Sequence, residues 1–324
     1  MRNNDSATTH AGHPLLTGGL IWGFLGVLAF SFTVPLTRIA VDELDPLFIG
    51  AGRAVVAALV AGIVLALTRQ PLPSKVQAMR LLVVAGGIVV GFPVLTSLAL
   101  TTASANHGAV VIGVLPAATA AAAVLRTGER PAPRFWVFAT LGAVVGVAFA
   151  VLHGGAVPGL NWSDLLLLGA VVAAAVGYAE GGLLSRELGA WQTISWALVL
   201  SSPVMAVLTI GSLSSGLPVE AGLAQWSAFA YLALISMYLG FFAWYRGLAI
   251  GPMAQVSQIQ LVQPVMSIAW AALLLGEAIT WLTAVGAVAV VGCAAMAVRT
   301  RLRASSRPRP RAGLRSRLRH RPRP

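Results

Sequence analysis

The stretches "PAATAAAAVLRTGE", residues 116–129, and "PVMSIAWAALLLGE", residues 264–277, share one frame. Each is an apolar run that opens on a proline and closes on Gly-Glu, with the glutamate thirteen residues after the proline. A shift of 148 residues carries Pro116 onto Pro264 and Gly128-Glu129 onto Gly276-Glu277, and it also carries Leu100 onto Leu248 and Arg38 onto Arg186. Scattered matches arise freely in an alanine-rich chain, so the weight rests on the shared spacing of proline and Gly-Glu. That spacing predicts a duplicated unit.

Composition defines the unit. Of 324 residues, 57% are hydrophobic and only 10% charged, whereas a soluble domain carries about 25% charged residues. Apolar stretches recur that are long enough to cross the roughly 30 Å hydrocarbon core as helices. A transmembrane barrel would alternate polar and apolar residues instead, so the fold class is an all-α membrane protein. Ten transmembrane helices are predicted, at about 17–36, 47–67, 81–102, 106–126, 134–152, 163–185, 191–211, 226–245, 253–275 and 279–298. The expected organisation is an N-terminal tail (1–16), a first repeat (17–152), a second repeat (163–298) and a C-terminal tail (299–324). Five spans per copy is an odd number, so the second copy must insert upside down. Such inverted-topology repeats enclose a midplane substrate site in many secondary transporters.

The net charge of +12 is concentrated at one end. Residues 299–324, "RTRLRASSRPRPRAGLRSRLRHRPRP", hold eleven of the 22 basic residues and no acid, which leaves the remainder at +1. Its Pro-Arg repetition builds no packed core and is read as a disordered cytoplasmic tail near anionic lipid headgroups, with no nucleic-acid partner expected. Arg69, Lys75, Arg80, Arg126, Arg130, Arg134, Arg186 and Arg246 all fall on the tail's side of the predicted topology. The opposite loops hold only Arg38 among the basic residues and collect Asp42, Glu43, Asp45, Asp164, Glu220 and Glu277. By the positive-inside rule both termini are cytoplasmic. Trp136, Trp162, Trp191, Trp226 and Trp281 fall near span ends, as an aromatic belt requires. The 21 arginines against one lysine hint at a GC-rich bacterial genome, hence a bacterial inner membrane.

"PLFIGAGRAVVAALVAG" in span 2, "ALTTASANHGAVVIGVLPAATAAAAVLRTGER" across spans 3 and 4, and "WYRGLAIGPMAQVSQIQLVQPVMSIAWAALLLGE" across spans 8 and 9 carry a resemblance to the drug/metabolite transporter superfamily, of the EamA type. It covers nearly the whole chain, each half resembling one EamA unit. The resemblance implies a ten-helix carrier that exports or exchanges small metabolites, amino-acid-like compounds or drugs. It also implies a central cavity lined by the fourth and ninth helices, with the fifth and tenth behind them.

Two ionisable residues lie well inside predicted spans, Arg53 and Glu180. Such residues face a cavity, pair with one another or mark a transport path. Counted at 1.5 Å per residue, they stand on the order of 13 Å apart in depth and are separate features. Glu180 reads either as a protonatable site or counter-charge for a substrate cation, or as a carboxylate reaching a hydrated vestibule. Arg53 matches the second-span arginine of the resembled family. It is expected to tie its helix to neighbouring carbonyls or to the loop acids Asp42, Glu43 and Asp45, with carboxylate binding as the other role.

Ser257, Gln260, Gln263 and Pro264 share a helical sector of about 120°. Amides are costly in lipid unless bonded, so this sector faces protein or water, as a polar cavity wall or as interhelical glue. The equivalent sector of span 4 is Ala109, Ile112, Leu115 and Pro116, which makes the facing wall greasy. Pro116 and Pro264 each remove a helix hydrogen bond near mid-membrane. His107 opens span 4 and reads as a solvated cap ahead of a proton carrier. The aromatic residues Trp22, Tyr178, Tyr238, Phe241, Trp244 and Tyr245 are candidates to stack on an amphipathic substrate, or simply pack. Gly276 is expected to end span 9 left-handed, and Glu277 to sit at the positive end of the span 10 dipole. Gly128-Glu129 does the same between spans 4 and 5.

Other chemistries lack their residues. The single lysine, Lys75, leaves no Walker A motif and no intramembrane Schiff base. No pair of membrane Asp residues supports a protease, and no membrane Ser is matched to a His base, so no enzyme is expected. No cofactor is expected, and no metal site at ligand spacing. Cys293 stands alone. Gly87/Gly91 and Gly142/Gly146 read as internal seams, compatible with a monomer or a homodimer. The leading function is secondary transport of a small molecule by alternating access, with Glu180 as coupling residue if protons drive it. The alternative is a non-transporting sensor or assembly protein that acts through the basic tail.

Overall fold

A computed structural model describes residues 14–127, 133–153, 161–214, 221–250 and 256–305. Among them all regular structure is helical. The first repeat comprises α1 (Gly18–Ala40), α2 (Pro46–Leu67), α3 (Lys75–Ala99), α4 (Ala105–Arg126) and α5 (Pro133–His153). The second comprises α6 (Trp162–Leu188), α7 (Ala190–Leu213), α8 (Leu223–Ile250), α9 and α10 (Trp281–Ser305). Within the described residues helix α9 runs through a 3₁₀ stretch, Ser257–Val262, and continues as Gln263–Leu275. Helices α1–α4 and α6–α8 are each long and apolar enough to cross a membrane, and α5, α9 and α10 carry shorter apolar segments.

Local chemistry sets the helix ends. Pro46 opens α2, and Asp45 accepts a hydrogen bond from the Phe48 N–H at 2.9 Å. A capping box, Ser74 with Gln77, starts α3 at Lys75, six residues before the predicted span. Gly276, at φ 66°, closes α9 in the left-handed conformation that lacks a steric cost only for glycine. Outward rows such as Leu59, Ile63 and Leu67 on α2, or Val204, Val207 and Ile210 on α7, are exposed at helical spacing. They form an apolar exterior suited to lipid, as helices that bond most of their own backbone groups allow.

The helix neighbourhoods obey the duplication. Helices α2 and α7, α4 and α9, and α5 and α10 each meet their own counterpart. The α1–α8 contact is repeated as α6–α3, and the α4–α6 contact as α9–α1. Exchanging helix n with helix n+5 therefore maps these contacts onto one another, as a pseudo-two-fold axis between the halves requires. Distortions repeat as well. A π-helical stretch interrupts α3 at Ala85–Gly91 and α8 at Leu232–Leu239, positions that correspond under the 148-residue shift. Helix α4 breaks at residues 113–114, and α9 is wound as 3₁₀ through the equivalent residues.

Small residues bring the helices together. A Cβ on Gly87 of α3 would strike the Ala173 carbonyl and lie 3.0 Å from the Gly177 backbone of α6. Gly91 faces Ala173 in the same seam, and Gly142 of α5 lies against Cys293 of α10. The final helix reaches Ser305, so residues 299–305 are helical where the sequence suggested the start of a disordered tail. A run of apolar residues up to Val298 propagates the helix past its membrane segment, where adding a residue costs far less than nucleation. The tail from residue 306 onward and the pair Gly128-Glu129 lie outside the described residues.

Candidate functional site

Two small chambers adjoin where the repeats meet. The first lies between α4 and α9, bounded by Ala109, Ile112, Leu115 and Pro116 on one side and by Gln260, Gln263, Pro264 and Ser267 on the other. Ile112, Leu115 and Pro116 map by the shift of 148 onto the facing Gln260, Gln263 and Pro264, so the chamber sits on the pseudo-axis, apolar on one wall and amide-bearing on the other. The second chamber is reached past Val34 and Gln263, which line both. Arg53 of α2, Tyr178 of α6 and Ser236 and Phe241 of α8 surround it. Their volumes are about 10 and 20 Å³, room for about a water molecule each. A metabolite fits only if the helices separate.

The 3₁₀ winding explains the amide wall. At three residues per turn, side chains at i and i+3 eclipse, so residues 257, 260 and 263 align more closely than a 100° period makes them. Gln260 and Gln263 are buried, and both polar atoms of Gln260 and Oε1 of Gln263 lack hydrogen-bond partners among the described residues. The Ser257 side chain lies outside the described ones. Pro264 follows Gln263 in the first turn of the α-helical part, where a missing N–H costs little. Beyond it, Ser267 donates to the Ser31 carbonyl at 2.7 Å and Trp270 to the Ser31 hydroxyl at 2.9 Å, anchoring α9 to α1.

Arg53 is 1% exposed, and its Nε and Nη2 have no hydrogen-bond partner among the described residues. The loop acids do not reach it, contrary to the expectation from sequence. Asp42 pairs with Arg38, Glu43 accepts from the Gly222 N–H at 2.8 Å, and Asp45 caps its own helix. Each of these carboxylates is taken by a local donor, so the more than two helical turns separating them from Arg53 are never bridged. Tyr178 joins an aromatic cluster with ring-centroid distances of 6.3 Å to Phe30, 5.9 Å to Phe241 and 6.2 Å to Trp244.

A second, larger cleft of about 570 Å³ opens between α3, α4 and α6 at the arginine-bearing end. At its base Glu180 of α6 is buried and accepts from Arg80 of α3 and from Arg126 of α4, the latter at 2.5 Å to Nε and 3.4 Å to Nη2. Arg80 also bonds Glu187, one further turn pair along α6. One carboxylate thus ties three helices together. Met79, Val83, Leu125 and Val176 form the apolar walls.

The sequence profile of the EamA-like transporter family matches residues 17–152 and 161–299. The chain belongs to the EamA-like transporter family. It is a multi-pass membrane transporter built from two inverted repeats, for which a small-molecule substrate and a lipid bilayer are the partners. A relative 45% identical over 283 residues, 87% of this chain and 98% of the relative, is the uncharacterised transporter YdeK of Bacillus subtilis strain 168. A protein crystal structure superimposes with a TM-score of 0.60 at 19% identity, covering 89% of this chain and 99% of that one, a likeness of fold alone.

Other residues singled out from sequence sit elsewhere in the transporter. His107 is buried rather than solvated: its Nε2 lies 2.6 Å from Oδ1 of the fully buried Asp164, whose Oδ2 accepts from the Asn161 N–H at 2.8 Å. Helix α6 starts beside the start of α4, and that proximity supplies the buried acid. Tyr238 shares a 3.0 Å hydrogen bond with Ser195 of α7, away from both chambers. Trp22 is 38% exposed and carries the Arg246 guanidinium 5.4 Å from its ring centre. Glu277 caps a different helix from the one expected. The N–H groups of Ala105 and Asn106 donate to its two oxygens, each at 2.8 Å, because α4 begins where α9 ends. Arg80 and Arg126 read in sequence only as topology markers, and their partner Glu180 is 100 and 54 residues away. Among the described residues no group of three His, Cys, Asp or Glu is placed to hold a metal ion.

Proposed function

We propose that the protein is a secondary transporter that moves its substrate through the chambers on the pseudo-two-fold axis by alternating access. The observation that carries this reading is the chamber wall itself, where equivalent positions of the two repeats face one another across α4 and α9. A site on the axis is equally accessible to two mirror-related conformations, and rocking one half against the other exposes it to each side in turn. Both termini are assigned to the cytoplasm, which puts the Arg80–Glu180–Arg126 cluster at the inner end of the path. There it acts as a latch, closed while the carboxylate holds α3, α4 and α6 together, and this assignment replaces proton coupling as the role of Glu180. Export or exchange is the direction proposed, with gradient energy taken from the substrate or its counter-substrate.

The test is flux in proteoliposomes. A competition screen over small metabolites on the purified protein should find at least one whose uptake saturates. Ser236→Trp, which fills the second, Arg53-lined chamber, should abolish that flux, while deletion of residues 306–324 should spare it. Uptake unaffected by Ser236→Trp removes the proposed path; activity lost only with the tail favours a sensor or assembly role.

A further inference from the structure

Arg53 is an unusual side chain for the interior of a membrane protein. A guanidinium remains charged, and one removed from water needs either an acid or several hydrogen-bond acceptors. Each carboxylate of the described residues is engaged elsewhere. Asp42, Glu43 and Asp45 hold loop partners, Asp164 holds His107, Glu180 and Glu187 hold arginines, and Glu277 holds the start of α4. Two of the Arg53 donors are unpartnered, and the side chain lines the second chamber. Facing the same space, Gln263 presents an unpartnered acceptor oxygen. Phe30, Phe241 and Tyr178 supply apolar, aromatic surface around it.

An uncompensated planar cation, an amide and a ring-lined wall together describe the complement of one kind of molecule. We infer that the substrate is a small organic carboxylate with an apolar body, its carboxylate bound by Arg53 in the bidentate fashion guanidinium favours. Gln263 accepts a hydrogen bond from a hydroxyl or amino donor next to that carboxylate, and the body lies against Phe30 and Phe241. Cations are excluded because the chamber already carries an unopposed positive charge. The apolar walls make the electrostatic selection sharper, since the surroundings screen the charge poorly. The inference rests on the second chamber, continuous with the axial one past Val34 and Gln263, being part of the substrate path.

Binding tests it separately from flux. The full chain in detergent or nanodiscs is titrated with 3-phenyllactate, with its amide 3-phenyllactamide and with 3-phenylpropylamine, and binding is followed by thermal shift and by Trp fluorescence. The carboxylate should saturate and raise the Tm, and the amide and amine should bind on the order of 30-fold more weakly, as expected when a buried charge loses its partner. Arg53→Gln should remove the difference between carboxylate and amide. Gln263→Glu tethers a carboxylate across the chamber; it should raise the Tm without ligand and abolish 3-phenyllactate binding, and it serves where Arg53→Gln does not fold. Equal binding of carboxylate and amine, or carboxylate binding that survives Gln263→Glu, overturns the inference. Carboxylate binding without flux of any substrate leaves the anion site standing and sinks the transport path. Flux of a neutral or cationic compound untouched by 3-phenyllactate does the reverse.

Discussion

Glu180 offers the sharpest energetic test, because one carboxylate serves two arginines in different surroundings. The perturbation is Glu180→Gln, Arg80→Gln and Arg126→Gln, alone and in pairs. Arg80 is mostly enclosed, with 19% of its side chain exposed, whereas Arg126 is 50% exposed. A hydrogen bond to a charged group contributes about 1.5–3 kcal/mol when shielded, while an exposed ion pair contributes about 0–1 kcal/mol. Helices α3 and α6 should therefore be coupled through Arg80 by about 2 kcal/mol, and α4 and α6 through Arg126 by about 1 kcal/mol or less. Losing both with Glu180→Gln shifts a latch equilibrium by about 3 kcal/mol, a factor of about 150 toward opening. The assay is thiol labelling of Ala179→Cys at the cleft, in a background where Cys293 is replaced by Ala. Double-mutant cycles on the labelling rate separate the two couplings. The labelling rate should rise most with Glu180→Gln, less with Arg80→Gln and least with Arg126→Gln. A coupling to Arg126 larger than that to Arg80, or no change in labelling with Glu180→Gln, refutes the latch.

Three further outcomes follow from packing and capping. Gly87→Ala sets a methyl against the backbone of α6, which cannot yield as a side chain tip does, and should cost about 1–3 kcal/mol in chemical or thermal unfolding. Its neighbour Gly86 has open space around it, so Gly86→Ala should be neutral within about 0.5 kcal/mol; equal effects at the two sites would refute the close α3–α6 seam. Glu277→Ala removes the acceptor for two N–H groups at the start of α4, an N-cap loss worth about 1–2 kcal/mol, and hydrogen exchange at Ala105 and Asn106 should quicken while that of α10 does not. Asp164→Ala removes the buried carboxylate bonded to the His107 imidazole and should lower stability by about 1–3 kcal/mol. An unchanged Tm for Asp164→Ala would mean that the His107–Asp164 contact carries no net stability.

The candidate site was half legible beforehand. Helical periodicity placed Gln260 and Gln263 opposite the greasy face of α4, because an amide in lipid constrains its helix to turn it inward. The same reasoning failed for Arg53 and His107. Proximity in sequence suggested the loop acids for one and water for the other, and neither is settled by distance along the chain. The π turns of α3 and α8 left no mark on the hydropathy pattern, since an extra residue in a turn changes the facing of side chains without changing their polarity.

The sequence by itself determined the fold class, the duplication and hence the inversion. A bilayer demands internally bonded, apolar helices of fixed length, and that demand is written most plainly on α1–α4 and α6–α8; an odd number of spans in a repeated unit leaves one topology. Only the tertiary structure decided which charges meet. Glu180 finds Arg80 and Arg126 across three helices, Glu277 finds the start of α4, and Arg53 finds no acid among the described residues. Pairing energies act over a few ångströms, between residues that the chain brings together only after its helices have packed.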